Sequence, residues 1–174
     1  MTLQLVQAGD PVLRKVARPM SVDEIRSAST KHLIEQMRDT MRAAPGVGLA
    51  APQIGESIQL AVMEDRIDYI KDISSEQLAE RQRSPVDFHV IINPKISIVG
   101  ETTVDYFEGC LSVAGFAAVV RRGARVRVEM FERASRTNHN NCAGLVRTYL
   151  AARDRSSERN ALHRPNADAF IYYH

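Results

Sequence analysis

Hydrophobic positions take helical spacing early in the chain and strand spacing after it. Across residues 30–42, Leu33, Ile34, Met37 and Met41 recur at three- and four-residue steps, while Lys31, Glu35 and Asp39 lie on other faces. That period predicts an amphipathic helix with one buried stripe, and Pro45-Gly46 ends it. Residues 57–63 then alternate, with Ile58, Leu60 and Val62 on one face, as a strand does. Two short apolar runs, 90–92 and 96–99, predict strands either side of Asn93-Pro94-Lys95. Residues 125–131 alternate cleanly, with Val126, Val128 and Met130 facing one way. The opening stretch, 3–20, is mixed: Asp10-Pro11 marks a turn, and Val12, Leu13 and Val16 are expected to pack. Residues 65–87 are polar and charged, which predicts a surface insertion with a short helix at 75–81. One clear helix ahead of several strands predicts an α+β domain rather than a repeating βαβ sheet.

After Glu132 this patterning stops. Five of the six asparagines fall in the last 42 residues, where arginine is abundant and lysine absent, and no helical or strand period runs through them. The chain therefore divides into a core, 1–132, and a tail, 133–174. A disordered polar tail is one explanation; the genetic code offers a sharper one below.

Composition narrows the function. A chain of 174 residues, 44% hydrophobic and 25% charged, is one ordinary soluble domain, and its net charge of +2 argues against a nucleic-acid or polyanion binder. Residues 1–8 lack the basic leader and apolar run of a signal peptide, and no stretch is apolar enough to span a bilayer. Two cysteines make no disulfide framework, so a reducing cytoplasm is expected.

Two segments carry candidate chemistry. In Gly46-Val47-Gly48-Leu49-Ala50-Ala51-Pro52-Gln53, alternate glycines let another chain approach the backbone, and the Gln53 amide can donate to a substrate oxygen. Alone, the segment also fits a helix-to-strand turn, and it lacks the lysine and Ser/Thr of a phosphate loop. In Glu108-Gly109-Cys110-Leu111-Ser112, the cysteine beside glycine can present sulfur to a metal or substrate. Alone, Cys110 reads equally as a small buried hydrophobe.

Together, in this order, the two segments resemble peptide deformylase, and the likeness covers residues 3–132. Ala114 departs from the family's usual proline, a matter of loop stiffness. The resemblance implies a deformylase-like fold, with small mixed or antiparallel sheets around a central helix. It implies hydrolysis of the N-formyl group from the formyl-methionine of newly made proteins in the cytoplasm, possible proximity to the ribosomal exit tunnel, and neither a membrane nor direct nucleic-acid specificity. It makes Cys110 a thiolate ligand to Fe²⁺, with Zn²⁺ or Ni²⁺ as substitutes, and it gives oxyanion binding to Gln53 and the backbone N–H of Leu111. The backbone at Val47 and Gly48, together with Glu108, would bind the peptide. Such a metal lowers the pKa of its water to about 7, and two fixed donors stabilise the tetrahedral oxyanion.

The family's third motif, His-Glu-x-Asp-His on the central metal-binding helix, is missing. The histidines are His32, His89, His139, His163 and His174, and no two stand four apart. His139, Cys142 and His163 form no recognised ligand spacing and are read as coincidence. A one-base slip accounts for the gap. Leu150-Ala151-Ala152-Arg153-Asp154-Arg155-Ser156 can be encoded so that reading one base later gives L-Q-H-E-I-D-H. The rereading continues outward: residues 144–149 permit G-W-Y-A-R-I, and 157–166 permit L-S-G-T-L-Y-I-D-R-M. The frame would slip near Glu132 or Arg133. Two expectations follow. Either the parent protein is an active deformylase, or these 174 residues are a catalytically dead relative that binds peptides weakly at most. On the slip reading, residues 144–174 pack poorly, whereas a well-packed helix over 147–157 would count against it.

Overall fold

The computed structural model describes residues 2–80, 83–131 and 149–150. The long helix α2, Ala28–Ala43, follows the short α1, Val22–Arg26, and begins two residues earlier than the apolar stripe alone predicts. Its start is set by Ser27, whose side chain accepts from the Thr30 N–H and satisfies one of the first-turn donors. Its end is set where the Gly46 N–H returns to the Met41 carbonyl. Between these ends Ile34, Met37 and Met41 are buried.

That face packs on an antiparallel sheet. Strands β1, Gly48–Ala50, β2, Leu60–Asp65, β3, Val86–Ile98, β6, Val126–Phe131, and β7, Tyr149–Leu150, lie in the order β1-β2-β3-β6-β7. The core joins Met37 and Met41 of α2 to Leu49, Leu60, Val62 and Ile92 of the first three strands. All six are fully buried, and each contributes about 1.5–3 kcal/mol by leaving water. Two further helices, α3 (Ile67–Ile70) and α4 (Ser75–Glu80), lie between β2 and β3. A separate two-stranded hairpin joins β4, Thr103–Gly109, to β5, Ala117–Gly123. The α+β class is therefore as expected.

Four local expectations are corrected. Pro94 does not separate two strands: β3 runs through it, with an irregularity between Ile92 and Lys95. A proline cannot donate to a ladder, so the strand bulges there. β2 pairs with β3 on one side up to Ile92, and β6 pairs on the other side at Ile92 and again from Lys95 to Ile98. At the centre of the bulge Asn93 has φ 49°, and its side-chain amide brackets Met20, accepting from the Met20 N–H and donating to the Met20 carbonyl, both at 2.8 Å. The strand expected at 57–63 lies later, at Leu60–Asp65, with Ile58 only bridging Arg18.

Val16 does not pack. It is 75% exposed, because the 3-10 turn Pro11–Arg14 gives way at Lys15 to extended chain. The charged stretch 65–87 is not wholly superficial either. Ile70 is buried, and Arg83 donates to both oxygens of Asp65 at 2.7 and 3.0 Å with both side chains about nine-tenths buried. A bidentate pair offsets the desolvation that such burial costs.

The hairpin β4–β5 and the pairing of β7 with β6 were not foreseen. Apart from Tyr149–Leu150, the expectations for 133–174, including the His139, Cys142 and His163 cluster and the 147–157 helix, lie outside the described residues.

Candidate functional site

The first motif forms one wall. Strand β1 pairs with β2 as Gly48↔Met63, Leu49↔Val62 and Ala50↔Ala61, and it stands at the edge of the sheet. The Glu64 N–H donates to the Val47 carbonyl, so Val47 faces β2. Antiparallel alternation then turns the backbone groups of Gly48 toward the outer edge. The helix end and this wall are tied together by Arg42, which donates to both oxygens of Glu64 at 2.7 Å. That contact holds the Glu64 carboxyl below the usual glutamate range.

From Ala50 the chain enters a 3-10 turn, Ala51–Ile54, which aims Gln53 back under the strand. Gln53 is only 4% exposed. Its Oε1 accepts from the Ala50 N–H at 2.8 Å, which fixes the amide plane and sends Nε2 the other way. Nε2 reaches Ser112 Oγ at 3.4 Å and Cys110 Sγ at 3.7 Å. The second contact is long even for sulfur and is a weak hydrogen bond.

The second motif forms the other wall, on the loop between β4 and β5. The Val113 N–H closes a turn onto the Cys110 carbonyl, so sulfur and the Leu111 peptide sit on its bend. Cys110 is a free thiol of intermediate exposure, and Ser112 is buried. The two walls meet a second time at Gly46, where an added Cβ would stand 2.9 Å from Leu111 Cδ1. Glu108 is occupied: Arg122 reaches along the same hairpin face and donates to its two oxygens at 3.0 and 2.7 Å.

Gln53, Cys110, Leu111 and Ser112 are thus brought together from segments 57 to 59 positions apart, as the paired motifs lead one to expect. The family model described as Polypeptide deformylase matches residues 2–151. The chain belongs to that family.

Its likeness to known deformylases is broad. It is 45% identical over 129 residues to peptide deformylase 1A of Solanum lycopersicum, a match covering 74% of this chain and 47% of that protein. It is 45% identical over 126 residues to peptide deformylase 3 of Streptomyces avermitilis, covering 72% of this chain and 54% of that one. Among solved structures, a class I type b peptide deformylase from Acinetobacter baumannii superposes with a TM-score of 0.68 at 25% identity, covering 86% of this chain and 83% of that one. The chain spans about half the length of these two curated relatives.

The metal that a deformylase implies does not fit the described residues. Among them no group of three or more His, Cys, Asp or Glu side chains could hold a metal ion. His32 lies on α2 and His89 on β3, where its Nδ1 contacts the Asp87 carbonyl, and neither joins Cys110 in such a group. Sequence reasoning missed three supporting residues. Ser112 ended a motif without being given a role, Arg122 carried no signal beyond its charge, and Gln7 lay in a stretch without periodicity. Gln7 donates to the Leu111 carbonyl at 3.1 Å and accepts from the Ala114 N–H at 3.3 Å.

Proposed function

We propose that this chain derives from a cytoplasmic peptide deformylase that removes the formyl group from the formyl-methionine of new proteins, and that residues from about 133 onward are out of frame. The observation that carries the first part is the buried Gln53 amide, fixed by Ala50 and directed at Cys110 and Ser112. In this reading Gln53 and the Leu111 N–H donate to the oxygen of the formyl group as it gains charge. Donors held in place before the reaction need not reorganise during it. Formylated nascent peptides would be the substrate, met near the ribosomal exit tunnel. An extended peptide would lie along the outer edge of β1, pairing with the main chain at Gly48 and passing Val47 alongside. The Glu108 carboxylate would act there through its Arg122 partner, holding the hairpin face.

Cys110 would be one ligand to Fe²⁺, Zn²⁺ or Ni²⁺. No step is assigned to the metal, because the described residues do not complete its shell. The out-of-frame reading supplies the missing histidines and glutamate. Among the described residues no helix is long and apolar enough to cross a membrane.

The alternative is a dead relative, with this tail as its natural end, that binds peptides weakly. Reading the coding DNA from Val126 to the stop codon separates the two. A coding sequence one base shorter near Glu132 supports the active parent, and a tail encoded as it stands supports the dead relative.

A further inference from the structure

The Cys110 loop is held from outside by the chain's own beginning. The Val6 N–H donates to the Gln53 carbonyl at 2.9 Å, and the Ala8 N–H to the Ser112 carbonyl at 2.7 Å. Residues two apart on one extended segment therefore grip both walls of the site. Between them the Gln7 side chain spans the bend, donating from Nε2 to the Leu111 carbonyl and accepting at Oε1 from the Ala114 N–H. A side-chain amide is the group that can do both at once, since it carries an acceptor and a donor side by side. We infer that Gln7 is a positioning residue for the oxyanion site, acting through the Leu111 peptide.

Three contacts then fix Leu111. Its side chain rests on Gly46, its carbonyl is held by Gln7, and the next carbonyl along the chain, that of Ser112, is held by Ala8. The Leu111 N–H belongs to the preceding peptide, whose Cys110 carbonyl accepts from the Val113 N–H. With the Leu111 side chain and carbonyl also held, little rotation about its φ and ψ is left to swing that N–H away from the Gln53 amide. The loop's own bonds close local turns, and Gln7 and Ala8 tie those turns to the segment that also grips Gln53. Ala114 stands where a more rigid residue would stiffen the bend, and the Gln7 Oε1 contact falls on this residue's N–H. Because Gln7 is exposed, its role is local order rather than core stability.

This inference rests on the deformylase reading for its meaning, but its test does not. Amide exchange is measured on the full chain, unsubstituted and as Gln7→Ala and Gln7→Glu. In Gln7→Ala the Ala114 amide should exchange about tenfold faster, the loss of a single hydrogen bond's protection, and the Leu111 amide resonance should shift, while Leu60 and Ile92 in the core stay unchanged. Gln7→Glu keeps an acceptor, so Ala114 should stay protected, but a carboxylate cannot donate to the Leu111 carbonyl and the Leu111 amide resonance should shift. Unchanged Ala114 exchange with an unmoved Leu111 resonance in Gln7→Ala overturns the inference. Should Gln7→Ala lose protection throughout the sheet, Gln7→Glu decides: a protected Ala114 with a displaced Leu111 supports the bracket, and an unmoved Leu111 refutes it. If the bracket holds while the DNA shows no slip and no formyl peptide is hydrolysed, the deformylase reading fails and the bracket stands.

Discussion

The two walls of the site are built in opposite ways. The Gly46-to-Gln53 wall is interior: Val47, Leu49, Ala50, Ala51 and Gln53 are all buried, and strand pairing and an Arg42–Glu64 clamp hold it. The Cys110 wall is a loop on a hairpin whose outer face is open, with Phe107 63%, Phe116 76% and Val119 51% exposed. Its order comes from a few bonds contributed by Gln7, Ala8 and Gln53. The first wall is part of the core and shares its stability. The second can move without unfolding the core.

That contrast can be broken from the core side. Leu60→Ala opens a cavity in the most enclosed part of the sheet and should cost about 2–5 kcal/mol, read from urea unfolding. Gln53→Leu joins the two walls' fates. It leaves the buried Ala50 N–H without its acceptor and should cost about 1–3 kcal/mol, again read from urea unfolding.

A smaller effect sharpens the first wall alone. Arg42 lowers the Glu64 carboxyl, so this pair contributes stability that is fully present above the ordinary glutamate value of about 4.3 and is lost as pH falls through the folded value. Glu64→Gln should therefore flatten the acid side of the stability–pH curve in that window, and little above it. Smallest of all, Phe116→Ser on the open hairpin should change stability by no more than about 0.5 kcal/mol while improving solubility.

How much of this was legible in the residues follows the same division. The α2 stripe, the Pro45-Gly46 stop and the alternation of Val126, Val128 and Met130 announced elements whose one face is buried. The hairpin β4–β5 announced nothing comparable, because Phe107 and Val119 occupy its solvent face beside the Asp105–Arg121 pair and blur the polar–apolar alternation. Pro94 misled because a proline ordinarily ends a strand, whereas β3 continues past it through the irregularity between Ile92 and Lys95. The pairing of Gln53 with Cys110 was legible through the motifs. Gln7 was not, since its role depends on where a non-periodic segment lands.

Gln53, Cys110 and Leu111 are proposed as two walls of a deformylase site in a chain whose sequence lacks the His-Glu-x-Asp-His motif. Formate release from an N-formyl-methionyl peptide, measured beside the bound metal, tests that proposal most directly on this chain and on the chain read one base later from Glu132. No turnover and no stoichiometric metal are expected for the first, and both for the second. An iron-loaded, active preparation of the 174-residue chain as it stands would contradict it.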